Sequence, residues 1–300
     1  MPALMGGFAN YLLPVQQGSP DMAKLKPILK EIEKIKWGVY DKNQLGYYLA
    51  GLIEGDGYLS LNNKNNLMIC ITFHIWDTPL ALKLIDYFGQ GYIAKRPGNS
   101  IELRVSNRRG LEKLITLLNG KFRTPKIDQL YKAIEHMNKK YNTNLIKLPL
   151  DSSPIQSNAW WSGFIDADGG FYIRYNKNSR LCSFRLEQRM IYPVTQVSYF
   201  QILNKVCIFL KVSLHTRTRV QVKRTYFQIR VENQASLKIL ITYLDKYPLL
   251  THKYLNYQDW KSAFSIILNK THFTEKGSLD ILNYKNQMNS KRSVFTWHHI

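Results

Sequence analysis

The sequence has few acidic residues, few cysteines and no long apolar run, and each shortage excludes a class of protein. Only 21 Asp and Glu stand against 42 Lys and Arg in 300 residues, so the net charge is +21. Such a charge favours a polyanionic partner, and nucleic acid is the first candidate. The three cysteines, Cys70, Cys182 and Cys207, form no CxxC pair, which argues against a zinc site or a disulfide framework. No apolar run is long enough to span a bilayer, so we expect no membrane partner.

Two copies of one short stretch organise the chain. They read LAGLIEGDG at Leu49–Gly57 and WSGFIDADG at Trp161–Gly169. Apolar residues at helical spacing predict a helix in each copy, and an alternating strand follows. Small residues recur four positions apart, so one face of each helix is nearly bare and lets a second helix backbone approach closely. These small residues are Gly51, Gly55, Gly163 and Ala167.

An aspartate ends each predicted helix. Asp56 and Asp168 lie at the C-terminal ends, where the helix dipole is negative and disfavours a carboxylate. If the helices pack together, the two carboxylates also approach each other, which raises a pKa unless a cation shares the site. A divalent metal with oxygen ligands suits this arrangement. The alternative is a pair of amphipathic core helices that end in ordinary Asp-Gly turns, and the duplication favours the metal.

The two motifs resemble the signature motifs of the LAGLIDADG homing endonucleases, in the form that carries two repeats in one chain. The resemblance covers about residues 40 to 265. It implies an α+β fold of two pseudo-symmetric αββαββα repeats, each with a saddle-shaped antiparallel sheet, packed through the two signature helices. It also implies a monomer that hydrolyses double-stranded DNA at a specific site with Mg²⁺, for which Mn²⁺ or Ca²⁺ can substitute in the site.

The resemblance implies a metal site at each aspartate. Asp56 and Asp168 are each expected to hold Mg²⁺, assisted by the backbone carbonyl groups of Gly55 and Ala167. Phosphodiester hydrolysis needs an activated water and a stabilised leaving oxygen, and a bound metal supplies both. Two cuts on opposite strands need two such sites.

Other side chains are candidates near these metals. The family has a basic residue near each metal, and aligning the repeats pairs Lys126 with Lys253. We expect them to polarise the water or the phosphate; the alternative is an ordinary lysine at a helix start. Gln188 is a candidate for orienting a water. For Glu54 and Asp166 we expect pairing with Lys or Arg at the helix ends rather than metal binding.

The pattern after the first motif recurs after the second. Leu111–Leu118 matches Leu237–Leu244 at an offset of 126, whereas the motifs are offset by 112, so the second copy carries about 14 extra residues. We expect a first repeat at 24–141, a linker with two prolines at 142–157, and a second repeat at 158–300 with a charged tail from about residue 270.

Alternation along the predicted strands places polar and basic side chains on one face of each sheet. Such side chains read base edges or neutralise phosphates, and two sheets in the major groove would read an asymmetric site of roughly two helical turns. For any single residue a solvated sheet face is the alternative; the excess of positive charge favours DNA for the set. The predicted DNA-binding residues are Ser60, Asn62, Lys64, Arg96, Glu102, Arg104, Tyr172, Arg174, Asn176, Arg217, Arg219, Gln228 and Arg230.

The first 23 residues differ from the rest of the chain. The first twenty carry no charged side chain, which fits neither a secretory signal nor an Arg-rich import peptide. The stretch resembles cytochrome c oxidase subunit I, as expected of a reading frame in a mitochondrial group I intron that continues from the upstream exon. This implies a protein of the mitochondrial matrix and a target in the intronless subunit I gene, near codons for Gly18–Ala23. The alternative is an ordinary flexible apolar tail.

Two further functions fit the same residues. A maturase that assists splicing of the host intron would use the fold and its basic surfaces on group I intron RNA, and both activities can coexist. A regulator that binds DNA without cutting it is the third candidate. The two helix-end acids favour cleavage, because a protein that only binds has no use for two carboxylates in contact.

Overall fold

The computed structural model describes residues 39–176, 179–219 and 224–300. The predicted leader at residues 1–23 and the rest of the chain before residue 39 lie outside these ranges. Within them, no helix is both long and apolar enough to cross a membrane.

The first repeat is an αββαββαα unit whose four strands form one antiparallel sheet in the order β1-β2-β4-β3. Its elements are α1 (Lys42–Asp56), β1 (Gly57–Leu61), β2 (Leu67–His74), α2 (Thr78–Phe88), β3 (Tyr92–Arg96), β4 (Ser100–Val105), α3 (Arg108–Leu118) and α4 (Ile127–Tyr141). A short 3-10 turn, Ile75–Asp77, joins β2 to α2.

The second repeat has the same order of elements and the same sheet topology, β5-β6-β8-β7. Its elements are α5 (Trp160–Asp168), β5 (Gly169–Asn176), β6 (Ser179–Arg189), α6 (Phe200–Leu210), β7 (Leu214–Arg219), β8 (Arg224–Val231), α7 (Gln234–Lys246) and α8 (Lys253–Leu268). The duplication and the two antiparallel sheets confirm the predicted α+β fold of two repeats.

Helices α1, α3 and α7 each begin at a side chain that accepts a backbone hydrogen bond. Asp41 accepts a hydrogen bond from the Gln44 amide and caps α1. Asn107 and Asn233 cap α3 and α7 in the same way, at the offset of 126 that relates the two helices. Matching caps at matching positions show that the two repeats share local folding signals as well as their motifs.

The prediction that places Asn62 and Lys64 on the polar face of the first sheet is wrong. The strand ends at Leu61, and the next five residues turn the chain into β2. The side chain of Asn62 accepts hydrogen bonds from the backbone amides of Lys64 and Asn66, which closes the turn. Asn62 and Lys64 therefore lie at the tip of the β1–β2 hairpin and not on the face of the sheet.

The segment predicted as a linker packs against the first repeat. Arg123 pairs with Asp151 at 2.5 Å and donates a hydrogen bond to the Ser153 carbonyl oxygen at 2.8 Å. The predicted division into repeats at 24–141 and 158–300 with a linker between them stays a prediction. The charged tail is folded: it forms α9 (Glu275–Asn286), whose buried Ile281 packs into the core.

Helices α1 and α5 pack against each other at the centre of the molecule through their glycines. A Cβ atom on Gly51 would lie 2.0 Å from the Trp160 carbonyl oxygen, and one on Gly163 would lie 1.9 Å from that of Tyr48. Real Cβ atoms do not approach a backbone oxygen so closely, so only glycine allows this packing. The predicted contact between the two bare helix faces is confirmed.

We expect Gly163→Ala to lower the free energy of unfolding by about 2 kcal/mol or more, because overpacking of a rigid backbone contact outweighs the gain in helix propensity. Chemical denaturation of the variant measures this loss. Ser265→Ala, at an exposed position of α8, is the matched control, and its effect should stay within about 0.5 kcal/mol. Equal stability of the Gly163→Ala variant and the wild type would contradict the tight packing.

Candidate active site

The C-terminal ends of α1 and α5 meet and bring the two predicted catalytic aspartates to one place. A Cβ atom on Gly55 would lie 2.1 Å from the Cβ of Ala167 and 3.2 Å from Oδ2 of Asp168. Asp56 ends α1 beside this contact, and the next residue of each chain segment begins a strand. The helix packing therefore forces the two carboxylates together.

Close approach of the carboxylates perturbs both of them. Burial and the charge of Asp56 raise the pKa of the Asp168 carboxyl to about 7, against the opposing charges of Lys253 and Lys126. Desolvation also raises the pKa of Asp56, although this residue is more open to solvent. Ionisation of both aspartates is thus disfavoured in the metal-free site, and a bound cation would favour it.

Lys126 and Lys253 lie at the ends of the two signature helices. The Lys126 ammonium donates to the carbonyl oxygens of Ile53 (3.0 Å), Gly55 (3.2 Å) and Gly57 (2.9 Å). The Lys253 ammonium donates to the carbonyl oxygen of Ala167 at 2.8 Å. Both positive charges therefore occupy the negative ends of the helix dipoles, next to the aspartates.

The carbonyl groups predicted as metal ligands, those of Gly55 and Ala167, are thus already bonded to lysine. A carbonyl oxygen has two lone pairs, so this bond leaves it one further acceptor position. Burial lowers the pKa of Lys126, while the charges of Glu54, Asp168 and Asp56 oppose that shift. The arrangement goes beyond that of an ordinary lysine at a helix start, because each side chain reaches the C-terminal end of the signature helix of its own repeat.

The expected pairing of Glu54 with Lys or Arg side chains is wrong. The Glu54 carboxylate is 1% exposed and accepts hydrogen bonds from the backbone amides of Arg123 and Thr124, the Thr124 hydroxyl and the Trp160 indole at 2.5 Å. Burial raises its pKa to about 7, and these donors oppose the shift. Glu54 therefore ties α1 to α5 and to the segment that precedes Lys126.

Asp166 has the equivalent role in the second repeat, and the expectation of a Lys or Arg partner is wrong there too. It is buried and accepts from the Tyr48 hydroxyl at 2.6 Å, the Thr251 hydroxyl at 2.5 Å and the backbone amide of Leu250 at 2.8 Å. Tyr48 and Trp160 occupy matching positions, 112 residues apart, so each signature helix donates to the acid of the other.

Gln188 lies beside Asp168, and its amide donates to Oδ2 at 3.0 Å. The first repeat has no counterpart. Gly57 pairs with Ile71 and Gly169 with Leu186, so the position that matches Gln188 on β2 is occupied by Phe73, a buried core residue. The two carboxylates therefore have different neighbours, and the two halves of the site are chemically unequal.

The donor set fits a hard cation that keeps part of its water shell. Among the residues that the structure describes, no group of three or more His, Cys, Asp or Glu side chains could enclose a metal. Two carboxylates, two helix-end carbonyl groups and the Gln188 amide are present instead. Mg²⁺ is bound in this way, through one or two carboxylates with water and substrate phosphate completing the octahedron.

The outer face of each sheet carries most of the predicted DNA-binding residues. Cross-strand pairing places Arg104 opposite Cys70 and Tyr92, and Arg230 opposite Arg185. The inner face is apolar and packs on the helices. The predicted residues that share the outer faces are Ser60, Arg96, Glu102 and Arg104 in the first sheet, and Tyr172, Arg174, Asn176, Arg217, Arg219, Gln228 and Arg230 in the second.

The structure corrects the prediction for Glu102. Its carboxylate is 1% exposed and accepts hydrogen bonds from Arg96, Arg104 and the Tyr58 hydroxyl, so it offers no free acceptor to a base. These hydrogen bonds hold its pKa below the usual value, although burial opposes them. Glu187 binds Arg217, Arg219 and Gln228 in the same way in the second sheet. Each glutamate fixes the direction of the arginines around it.

Several outer-face residues were missed from the sequence. Arg185, Glu187 and Arg189 alternate along β6 with the buried Phe184 and Leu186. This alternation of polar and apolar residues could have indicated that the strand continues to Arg189 and that these three side chains share its outer face.

Two hydrogen-bonded residue pairs between the repeats were also missed. Asp77 of the first repeat accepts from the His252 amide at 2.6 Å, and its Oδ2 lies 2.9 Å from Nδ1 of the same residue. Gln129 donates to the Tyr192 hydroxyl of the second repeat at 2.8 Å. Both partners come from distant parts of the sequence, so no local pattern shows either pair. The first pair fixes the residue before Lys253.

Comparison with known sequences gives matches over both repeats. The profile of a family described as LAGLIDADG endonuclease matches residues 49–137 and 161–264. The chain is 31% identical to the intron-encoded DNA endonuclease aI3 of Saccharomyces cerevisiae, over all of this chain and 81% of that protein. It is 33% identical to an uncharacterized cox1 intron-2 protein of Schizosaccharomyces pombe, over 78% of this chain and 70% of that protein.

A third relative and a solved structure extend the comparison. The chain is 30% identical to the intron-encoded RNA maturase bI4 of Saccharomyces cerevisiae, over 81% of this chain and 35% of that protein. The structure of the LAGLIDADG homing endonuclease I-GzeII in complex with its DNA target superposes with a TM-score of 0.62 at 16% identity. That superposition covers 83% of this chain and 99% of the other, and it shows a shared fold.

The raised pKa of Asp168 predicts a pH-dependent stability of the metal-free protein. Folding favours the protonated carboxyl, so the stabilising contribution is full below the usual pKa near 3.8 and is lost as the pH rises through about 7. The variant Asp168→Asn has no ionisable group at this position, so it does not lose this stabilising contribution as the pH rises. We therefore expect Asp168→Asn to melt at a higher temperature than the wild type at about pH 8 in EDTA, and the gap to narrow toward pH 5.

Thermal denaturation across this pH range measures the gap. Asp86→Asn removes an exposed carboxylate of α2 and serves as the control for net charge. A gap that is the same at both ends of the range, or a wild type that is more stable at pH 8, would contradict the crowding of the two aspartates.

Proposed function

This chain belongs to the LAGLIDADG endonuclease family, and we propose that it is a site-specific endonuclease that cuts both strands of a long asymmetric DNA target in a metal-dependent reaction. The observation that carries the proposal is the meeting of Asp56 and Asp168 at the joined ends of α1 and α5, between two sheets with basic outer faces. One catalytic centre that contacts both strands needs this arrangement.

The residues of the chain have separate tasks in this proposal. Arg104, Arg230 and the other outer-face side chains hold the duplex in register over the helix ends. Asp56 and Asp168, with the carbonyl oxygens of Gly55 and Ala167, would hold the divalent cation, Mg²⁺ by preference. When bound, the cation supplies Lewis acidity for water activation and leaving-group stabilisation.

Lys126 and Lys253 place positive charge next to the phosphates that approach the aspartates. Each ammonium is held by backbone carbonyl groups, so it is already oriented before DNA binds. Preorganised charge of this kind stabilises negative charge that develops during the reaction. Gln188 would orient a water near Asp168.

We propose that the target lies in the intronless cytochrome oxidase subunit I gene and that the protein acts in the mitochondrial matrix. Two observations support this: residues 1–23 resemble that subunit, and a relative from Schizosaccharomyces pombe is named as a cox1 intron protein. When a reading frame inside an intron continues from the upstream exon, its first codons are the exon sequence next to the insertion site of the intron.

Maturase activity on group I intron RNA is the second candidate function. The likeness to the RNA maturase bI4 over most of this chain favours it. Such an activity uses surfaces other than the aspartates, so the two functions can be separated by mutation.

Cleavage of a plasmid that carries the uninterrupted subunit I junction tests the proposed function. We expect the wild type to linearise it with Mg²⁺, and Asp56→Asn or Asp168→Asn to retain DNA binding but give no linear product. Gel-shift and plasmid-cleavage assays on the same preparations measure both properties. Asp86→Asn should cut like the wild type.

Three outcomes would count against the proposal. Full double-strand cutting by the Asp56→Asn, Asp168→Asn double variant would remove the assigned role of the aspartates. A cut elsewhere but none at the junction would refute the proposed target. If the wild type binds the junction but does not cut it with any divalent metal, the protein is better described as a regulator that binds DNA without cutting it.

The unequal halves of the site predict unequal strand cleavage. We expect Gln188→Ala to slow the cut served by Asp168 by about 10- to 100-fold, the range for loss of a side chain that hydrogen-bonds a metal ligand, and to leave the other cut nearly unchanged. Nicked plasmid, with its nick on one strand only, should accumulate during the reaction.

Strand-specific end labels identify the nicked strand. Gln196→Ala changes an exposed glutamine of the loop after β6 and serves as the control. Equal slowing of both cuts would show that Gln188 acts on the fold or on DNA binding rather than beside Asp168.

A further inference from the structure

A basic groove lies at the N-terminal end of α1, away from the aspartates. It is a cavity of about 600 Å³ between the start of α1, the end of α2 and the exposed side of α3. Four cationic side chains line it, Lys42, Arg109, Lys113 and Lys121, and Glu112 is the one acid in its lining.

The positive charge of the groove is poorly compensated. None of its four cations forms an ion pair with a carboxylate in the described part of the chain; Asp151, the acid that acts on Lys121, pairs with Arg123. Burial and the charge of Lys42 lower the pKa of Lys121. The Lys113 ammonium rests on the Tyr87 backbone carbonyl and ring, 4.3 Å from the ring centroid. Cations gathered in this way favour an anionic partner.

The fold does not require these cations. The second repeat builds the same helix with Ala235 and Ile239 at the positions that match Arg109 and Lys113, at the offset of 126. Arg108 likewise corresponds to Gln234 in the second repeat. Because the duplicated element folds without the charges, their presence on one repeat alone indicates a function specific to that side of the molecule.

The groove is out of reach of a duplex bound on the sheets. Helix α1 has 15 residues and is therefore about 22 Å long, with Lys42 at one end and Asp56 at the other. The DNA must lie at the Asp56 end, over the outer faces of the sheets. Helix α2 packs on the inner face of the first sheet, and α3 packs on α1 and α2, so the groove opens on the opposite side.

We propose that this groove binds the phosphodiester backbone of a folded RNA. Its concave shape suits a looped or bulged strand better than a regular duplex. The likeness to the RNA maturase bI4 over 81% of this chain favours RNA over other polyanions. The inference rests on the second candidate function, RNA binding, and is independent of DNA cleavage.

Removing two groove cations in the full-length protein tests the inference. Arg109→Gln with Lys113→Gln should weaken binding to a transcript of the host group I intron and lower the slope of log affinity against log salt by roughly 1.4, about 0.7 for each lost phosphate contact. Cleavage of the DNA junction should be unchanged. Filter binding over a salt series and plasmid cleavage measure the two properties.

The matched control removes equal charge from the equivalent helix of the second repeat. Lys238→Gln with Lys246→Gln changes two exposed lysines of α7 and should leave RNA binding near that of the wild type. Lys42→Gln with Lys121→Gln provides a second groove variant, and thermal melting shows that each variant is folded.

Four results would overturn the inference. The first is an equal loss of RNA binding in the groove and control variants, which would show a diffuse basic shell. The second is an unchanged salt slope in both groove variants. The third is a wild-type protein that cuts DNA but does not bind the RNA. This result would refute the RNA function and leave the proposed endonuclease activity unaffected. The fourth is competition by an acidic peptide but not by RNA, which would assign the groove to a protein partner.

Discussion

The contact between two glycine-bearing helices is the constraint on which the rest of the structure depends. Gly51 and Gly163 bring the backbones so close that any side chain would collide with a carbonyl oxygen. This closeness delivers Asp56 and Asp168 to one point and raises the pKa of the Asp168 carboxyl. It also sets the distance between the two sheets, since each strand β1 and β5 begins at the residue after its aspartate. One packing interaction thus fixes both the position of the two aspartates and the spacing of the two sheets.

Buried polar groups hold this contact in register. Glu54 and Asp166 each accept a hydrogen bond from the opposite helix and several from the segment that leads to Lys126 or Lys253. Loss of one donor would leave a buried carboxylate undersatisfied, which is costly in a water-free interior. The lysines are therefore positioned from two sides, by the helix-end carbonyl groups that they contact and by the acids that anchor the segments before them.

The features that could be predicted from the sequence are those with a local period or a repeated motif. The two signature helices, the strand pairs and the equivalence of Lys126 and Lys253 all have such a signal. What could not be predicted depends on partners far apart in the chain. Glu102 sits at a polar position of the alternation, but its burial follows from arginines on two strands. Asp77 meets His252 across 175 residues, and no pattern near either residue indicates the pair.

The hydrogen bonds from Tyr48 to Asp166 and from Trp160 to Glu54 have a consequence for the ancestry of the chain. The two donors occupy equivalent positions of the two repeats, and so do the two acceptors. The donor of each repeat therefore bonds to the acceptor of the other. This is the defining relation of an isologous interface between identical subunits. Either half of the gene alone encodes both donor and acceptor, which is what a self-associating half-length protein needs. The contact between the two signature helices therefore has the form of a homodimer interface.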